Sequence, residues 1–263
     1  MLYRFSLFVV FATFLLIAAG GLVTSHEAGL AVPDWPTSYG QWFPPMVGNV
    51  FWEHGHRMIA GSVGIFTLIL AIGIQRTEKR KWLRVLGWTA FGAVIAQALL
   101  GGLTVVMMLP PAVSIFHACL AQTFFCLVVS IAYFLSGQQV PIHAEPRLRR
   151  LAMMTAGFIY LQLVLGAIVR HTGWGASFHI LVAFFVLVHV LLMAIRAHSR
   201  TSLALGFLTV IQIFLGIGAF IFTQMVSRSY APSAGEVFFT AAHQTNGACV
   251  LALSVLLILM VSR

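Results

Sequence analysis

Eight times along its 263 residues the chain runs apolar for about 20 residues, the length a helix needs to cross the hydrocarbon core of a bilayer. The runs fall at Tyr3–Val23, Phe51–Ile74, Val85–Met108, Val113–Leu135, Leu151–Val169, Phe178–Ile195, Leu203–Phe222 and Val237–Val261. In lipid every backbone N–H and C=O must find its partner within the protein, so runs of this length are read as helices. With 60% hydrophobic and 8% charged residues, the chain has no room for an ordinary water-soluble domain. The expected fold is all-α: a polytopic membrane protein of eight transmembrane helices. A short start containing Arg4, followed by an apolar stretch, resembles a signal peptide, but the internal repeat described below argues that this run is retained.

A net charge of +9 would suit a nucleic-acid partner, but the distribution of the cations excludes it. With the N-terminus inside, twelve of the fifteen Lys and Arg fall in inner segments: Arg4, the Arg76–Arg84 cluster, Arg147, Arg149, Arg150, Arg196, Arg200 and Arg263. The positive-inside rule then puts both termini in the cytoplasm. Arg57, Arg170 and Arg228 break the trend at the outer side and call for a local reason. Cys119, Cys126 and Cys249 lie inside apolar runs without metal or disulfide spacing, and read as small buried side chains.

The chain repeats itself. Gln97-x-x-x-Gly101 in run 3 recurs as Gln162-x-x-x-Gly166 in run 5 and Gln212-x-x-x-Gly216 in run 7, and His26 follows Gly21 by five residues as His171 follows Gly166. His56, His117, His179 and His243 stand near the outer ends of the even-numbered runs, with nearly constant offsets between the halves. This predicts two tandem, pseudo-symmetric four-helix bundles, residues 1–138 and 139–263. A large outer loop over residues 25–50, with Pro33-Asp34-Trp35-Pro36, is expected to be an ordered cap. Trp35, Trp42 and Phe43 in it could equally anchor at the membrane interface.

Two histidines per unit, at matching depth on facing helices, suit a heme iron held on both faces. Ala60, Ala121, Ala183 and Gly247 follow the four histidines at i+4, and small residues there would let a flat ring approach. His54, His143, His189 and His198 are expected to be structural. The outer arginines Arg57, Arg170 and Arg228 become candidates for the heme propionates. Three residues before each histidine stand Glu53, Ser114, Ala176 and Thr240, so only the N-terminal pair has a carboxylate on the same helical face. A carboxylate there can take a proton or steady a developing cation, which makes the N-terminal pair a reaction site and the C-terminal pair an electron-transfer site.

These residues resemble the heme A synthase family, through Gly20-Gly21-Leu22-Val23, Pro33-Asp34-Trp35-Pro36, Glu53-x-x-His56-Arg57, His117, Gly166-x-x-Val169-Arg170, His179 and His243-Gln244. The resemblance implies oxidation of the C8 methyl of heme O to a formyl group with water-derived oxygen, during cytochrome oxidase biogenesis in a bacterial plasma membrane. It implies substrate heme O at His56 and His117 with Glu53 catalytic, and cofactor heme B at His179 and His243. Heme O synthase, cytochrome oxidase assembly factors and a second copy of the chain are the expected partners within the bilayer. The sequence departs from relatives that carry a cysteine pair in the first outer loop, and has Thr24 where an arginine is often found. The main rival is a bis-histidine diheme electron carrier, which leaves Glu53 unexplained. A transporter is disfavoured because the polar groups lie toward one side and not at mid-membrane.

Overall fold

The computed structural model describes residues 1–137, 145–226 and 231–261. Eight helices follow one another: α1 (Leu2–Ser25), α2 (Asn49–Thr77), α3 (Lys81–Val106), α4 (Pro111–Leu135), α5 (Pro146–Thr172), α6 (Ala176–Ala197), α7 (Arg200–Phe220) and α8 (Ala234–Val261). All are long and apolar enough to span a membrane. The α-helical part of α7 stops two residues before the expected end of its run, and a π-helical turn, Ile221–Met225, carries the chain three residues beyond it. The other helices overrun their apolar cores by a turn or less at most ends, because flanking residues such as Arg76 and Lys81 continue the helix. The expected division after residue 138 lies outside the described residues, as do Pro141, His143, Arg228 and Arg263.

Neighbours define two rings. α1 packs on α2, α2 on α3, α3 on α4 and α4 back on α1, and α5 to α8 close in the same order. The rings meet through α1 on α8, α4 on α5, and α4 on α8. Exchanging α1 with α5 and α4 with α8 maps this set of contacts onto itself. Among the described residues the backbones of the diagonal helices α2 and α4 stay apart, as do those of α6 and α8, so that only side chains can meet across each ring. Each of these separated helices carries one of the four histidines.

The packed core is lopsided along the helix axes. The largest fully buried side chains in the helices are Val9, Val63, Leu70, Ile74, Leu83, Phe124, Val128, Ile131, Met193, Leu205 and Leu257. Each lies at least seven residues from the nearest of the four histidine levels, toward the end away from the 26–48 loop. Large apolar side chains close the rings there, whereas glycine and alanine near the histidines leave the rings open. Chain turns keep the levels matched. Between α5 and α6 only three residues intervene, and Gly173 (φ +74°) and Gly175 (φ +88°) supply the left-handed conformations this tight turn needs.

Candidate functional site

Every one of the four imidazoles lies against a glycine of the preceding helix. A Cβ placed on Gly20 of α1 would stand 3.2 Å from His56 Nε2. Cβ atoms on Gly101 of α3, Gly166 of α5 and Gly216 of α7 would stand 3.0, 3.0 and 2.9 Å from Cε1 of His117, His179 and His243. A side chain at these positions would crowd the ring, so the outgoing end of each odd helix cradles the ring that the next helix presents. The glycine equivalent to Gly166 is therefore Gly20, not Gly21. The shared spacing of five to His26 and His171 does not mark equivalent positions, and Thr24 corresponds to Arg170.

The rings of His179 and His243 have centroids 6.2 Å apart and planes at 74°. Two imidazoles on opposite faces of one metal, each with a metal–nitrogen bond of about 2 Å, put their ring centroids about 6 Å apart. The C-terminal pair thus fits a heme iron held from both sides, and the glycine cradles fit it at all four rings. His56 and His117 come from the corresponding diagonal helices and are electrostatic neighbours.

Glutamines at the recurrent positions reach three of the rings. Gln97 Nε2 lies 3.4 Å from His117 Nε2 and donates to the His117 carbonyl at 3.0 Å. Gln212 does the same to His243, at 3.4 and 3.0 Å. Gln162 Nε2 lies 3.2 Å from His179 Nε2. His243 Nδ1 donates to the Gln212 carbonyl at 3.1 Å, and Asn246 Nδ2 donates to Gln212 Oε1 at 2.7 Å. The role of Gly247 changes accordingly. A Cβ there would meet the Gln212 amide at 3.2 Å, so the small residue at i+4 makes room for that side chain.

Glu53 is 4% exposed and both its oxygens are engaged. Oε1 accepts from Arg57 Nη2 at 2.5 Å, and Oε2 accepts from the Val32 N–H at 2.8 Å. Arg57 Nη1 donates to the carbonyls of Asp34 and Thr37 at 2.8 and 2.7 Å, and His54 Nδ1 pairs with Ser38 Oγ at 2.8 Å. Polar contacts from Glu53, His54 and Arg57, all within about one turn of helix, thus clamp the 26–48 loop onto α2. Asp34 shapes the loop itself, accepting from Thr37 Oγ1 and from the N–H groups of Tyr39 and Gly40. These donors, Thr37 first, hold its carboxyl down at about 2. The Trp35 ring covers the bare Cα of Gly102 in α3, which makes it a cap on the N-terminal ring of helices, while Trp42 and Phe43 are 67% and 82% exposed.

The expected site residues therefore divide. Glu53 stands one turn before His56 on α2, with Arg57 beside it, but the hydrogen bonds of Arg57 are directed at the loop and at Glu53. Arg170 reaches across the rings to Ser25 Oγ at 3.2 Å, and Ser25 Oγ is 2.7 Å from Thr240 Oγ1, one turn before His243. Arg228 lies outside the described residues. Sequence reasoning noticed the recurring Gln-x-x-x-Gly segments without a task for them. Their common spacing was the available signal. The part played by His54 left no such trace.

Fold and site together define an integral membrane protein of eight helices, arranged in two rings with histidines on the diagonal helices of each. The profile of the COX15-CtaA family, cytochrome oxidase assembly proteins, matches residues 46–179, just over half of the chain. The chain belongs to this family, that of the heme A synthases. It is 25% identical to the heme A synthase of Exiguobacterium sibiricum over 228 residues, covering 75% of this chain and 76% of that protein. With the heme A synthase of Roseobacter denitrificans it shares 34% identity over 144 residues, 49% of this chain and 36% of that one. With that of an Exiguobacterium sp. it shares 28% over 178 residues, 64% and 58% of the two lengths. The matches thus span from about a third to three quarters of the relatives' own lengths.

Proposed function

We propose that the chain is a heme A synthase, converting heme O to heme A by oxidising the C8 methyl group to a formyl group. In balanced form the methyl carbon takes the oxygen of one water molecule and releases four electrons and four protons. The substrate heme is held by His56 and His117 within residues 1–138, and heme B by His179 and His243 within residues 139–263. Bound there, heme B supplies a one-electron relay for the electrons that leave the substrate. The 6.2 Å spacing of the His179 and His243 rings is the observation that carries the reading of paired heme sites, and the family supplies the reaction.

The protein's own groups then take definite parts. His179 and His243 present neutral ring nitrogens, and the glycine cradles keep the rings from turning. Glu53 lies on the His56 face of α2 as a carboxylate paired with Arg57, placed to accept a proton or to hold positive charge near the reacting carbon. The loop clamped by Glu53, Arg57 and His54 keeps bulk water from the N-terminal ring. Of the expected propionate partners, Arg170 is the one at the junction of the two rings. With both termini cytoplasmic, the sites lie toward the outer face. Heme O synthase and oxidase assembly factors are the partners this route implies.

The test is extraction and chromatographic identification of hemes from membranes of a heme O-producing host, with and without the protein. Heme A, or its hydroxylated precursor, is expected only with the intact chain. Only hemes B and O beside a folded, heme-loaded protein would refute the synthase reading and favour a diheme electron carrier.

A further inference from the structure

Buried serine and threonine hydroxyls in the helices are paired, with one exception. Thr13, Thr67, Ser130, Thr155 and Thr209 donate to the carbonyl four residues before them. Ser25 pairs instead with Thr240 Oγ1 at 2.7 Å, across the junction of the two rings of helices. Ser114 is 5% exposed, and among the described residues its Oγ has no hydrogen-bond partner. Burying a hydroxyl unpaired is costly, so this position calls for a partner from outside the chain.

The exchange of α1 with α5 and of α4 with α8 indicates what stands opposite. Ser114 and Thr240 lie three residues before His117 and His243. Ser25 corresponds to His171, as Gly20 corresponds to Gly166. The meeting of Ser25 with Thr240 therefore has as its counterpart His171, in the last turn of α5, opposite Ser114. In keeping with this placement, α5 packs on α4, and His171 is an electrostatic neighbour of His117. In the C-terminal unit the two equivalent hydroxyls close directly on each other. In the N-terminal unit they do not close, because Ser114 Oγ bonds to no side chain. A buried water needs two to four polar partners. A serine hydroxyl donates or accepts, and a neutral imidazole offers one of each, so this pair can hold a water in either tautomer of the ring.

We propose that Ser114 and His171 hold the water molecule whose oxygen enters the substrate. Resting on the reading of His56 and His117 as the substrate-heme ligands, this divides the N-terminal site between two helices. Glu53, three residues before His56 and engaged by Arg57 and the Val32 N–H, supplies charge from α2. At the same level on α4, Ser114 supplies water together with His171. The reaction site then belongs to both halves of the chain, since His171 comes from the C-terminal unit. No such pair serves the C-terminal site, where the matching positions are Ala176 and Thr240, and Thr240 is taken by Ser25. A water held at one heme and not at the other suits one site that hydroxylates and one that only relays electrons.

The experiment uses the full-length protein from a heme O-producing host. Exchangeable deuterons near the N-terminal ferric heme are read by pulsed electron paramagnetic resonance after transfer into D₂O, and heme A formation is followed in membranes from the same cells. Ser114→Ala is expected to lose a deuteron coupling seen in the wild type. It should also form heme A about 10- to 100-fold more slowly at unchanged heme content, the scale of a reactant displaced by about 1 Å. Ser114→Thr keeps a hydroxyl and should restore both signal and rate. His171→Phe should match Ser114→Ala, and the double variant should be no slower than the slower single one, because both groups act through one water. An unchanged deuteron signal or wild-type turnover in heme-loaded Ser114→Ala overturns the proposal, as do losses that multiply in the double variant. If the wild type forms no heme A while the deuteron signal responds as expected, a water is held there but the synthase reading fails, and with it the role of that water as reactant.

Discussion

Gly216→Ala is the sharpest test of the cradle geometry. The new Cβ would stand 2.9 Å from His243 Cε1 and 3.3 Å from Nδ1. Carbon atoms rest about 3.5–4.0 Å apart, so the ring or the α7 backbone must retreat by about 0.6–1 Å. A metal–imidazole bond of about 2 Å cannot absorb a shift of that size unchanged. Overpacking of a filled site costs about 1–3 kcal/mol, which corresponds to heme retention weakened by roughly 5- to 150-fold. The assay is the heme B content per chain after purification, with the low-spin optical and paramagnetic signatures of the C-terminal heme. Gly166→Ala, whose Cβ would lie 3.0 Å from His179 Cε1, should behave alike. Gly157→Ala, on α5 with nothing within 4 Å, is the control. Full heme B with an unchanged spectrum in Gly216→Ala would show that the glycine contact does not position the ligand.

Four further outcomes are expected. Glu53→Gln should abolish heme A formation while both hemes remain bound, because an amide can still accept from the Val32 N–H but carries no charge; full turnover would exclude Glu53 from the chemistry. Glu53→Ala leaves that N–H and the Arg57 guanidinium without their carboxylate, and should destabilise the fold by up to about 3 kcal/mol in thermal unfolding. Asp34 contributes to loop order through a pKa held at about 2 by Thr37, Gly40 and Tyr39. That contribution is complete above the ordinary carboxylate value of about 4 and is lost as pH falls from there toward 2, so proteolysis of the 26–48 loop should rise over this window and Asp34→Asn should flatten the profile. Gly102→Ala would drive a Cβ to 2.6 Å from the Trp35 ring and should unseat the cap, read as increased quenching of tryptophan fluorescence by a soluble quencher.

Eight spans, their ends to within a few residues and the four histidines were legible in the sequence because their causes are local. A run of apolar side chains is a helix in lipid whatever its neighbours, and a histidine at its end stands out against that background. Glu53 with Arg57 was legible for the same reason, since i and i+4 meet on any helix. Rotation of one helix against another is not local. Gly20 and Gly21 are equivalent to a pattern search, yet packing turns Gly20 toward His56 and Gly21 toward Ala241 of α8. Likewise Arg57 could have faced a carboxylate ligand until the loop folded back and placed the carbonyls of Asp34 and Thr37 on its guanidinium. Composition and spacing by themselves determined a membrane helix bundle with paired histidines. Tertiary packing alone decided which glycines cradle the rings, which three rings receive an amide and which is left without one, because those contacts depend on the facing of helices that are distant in sequence.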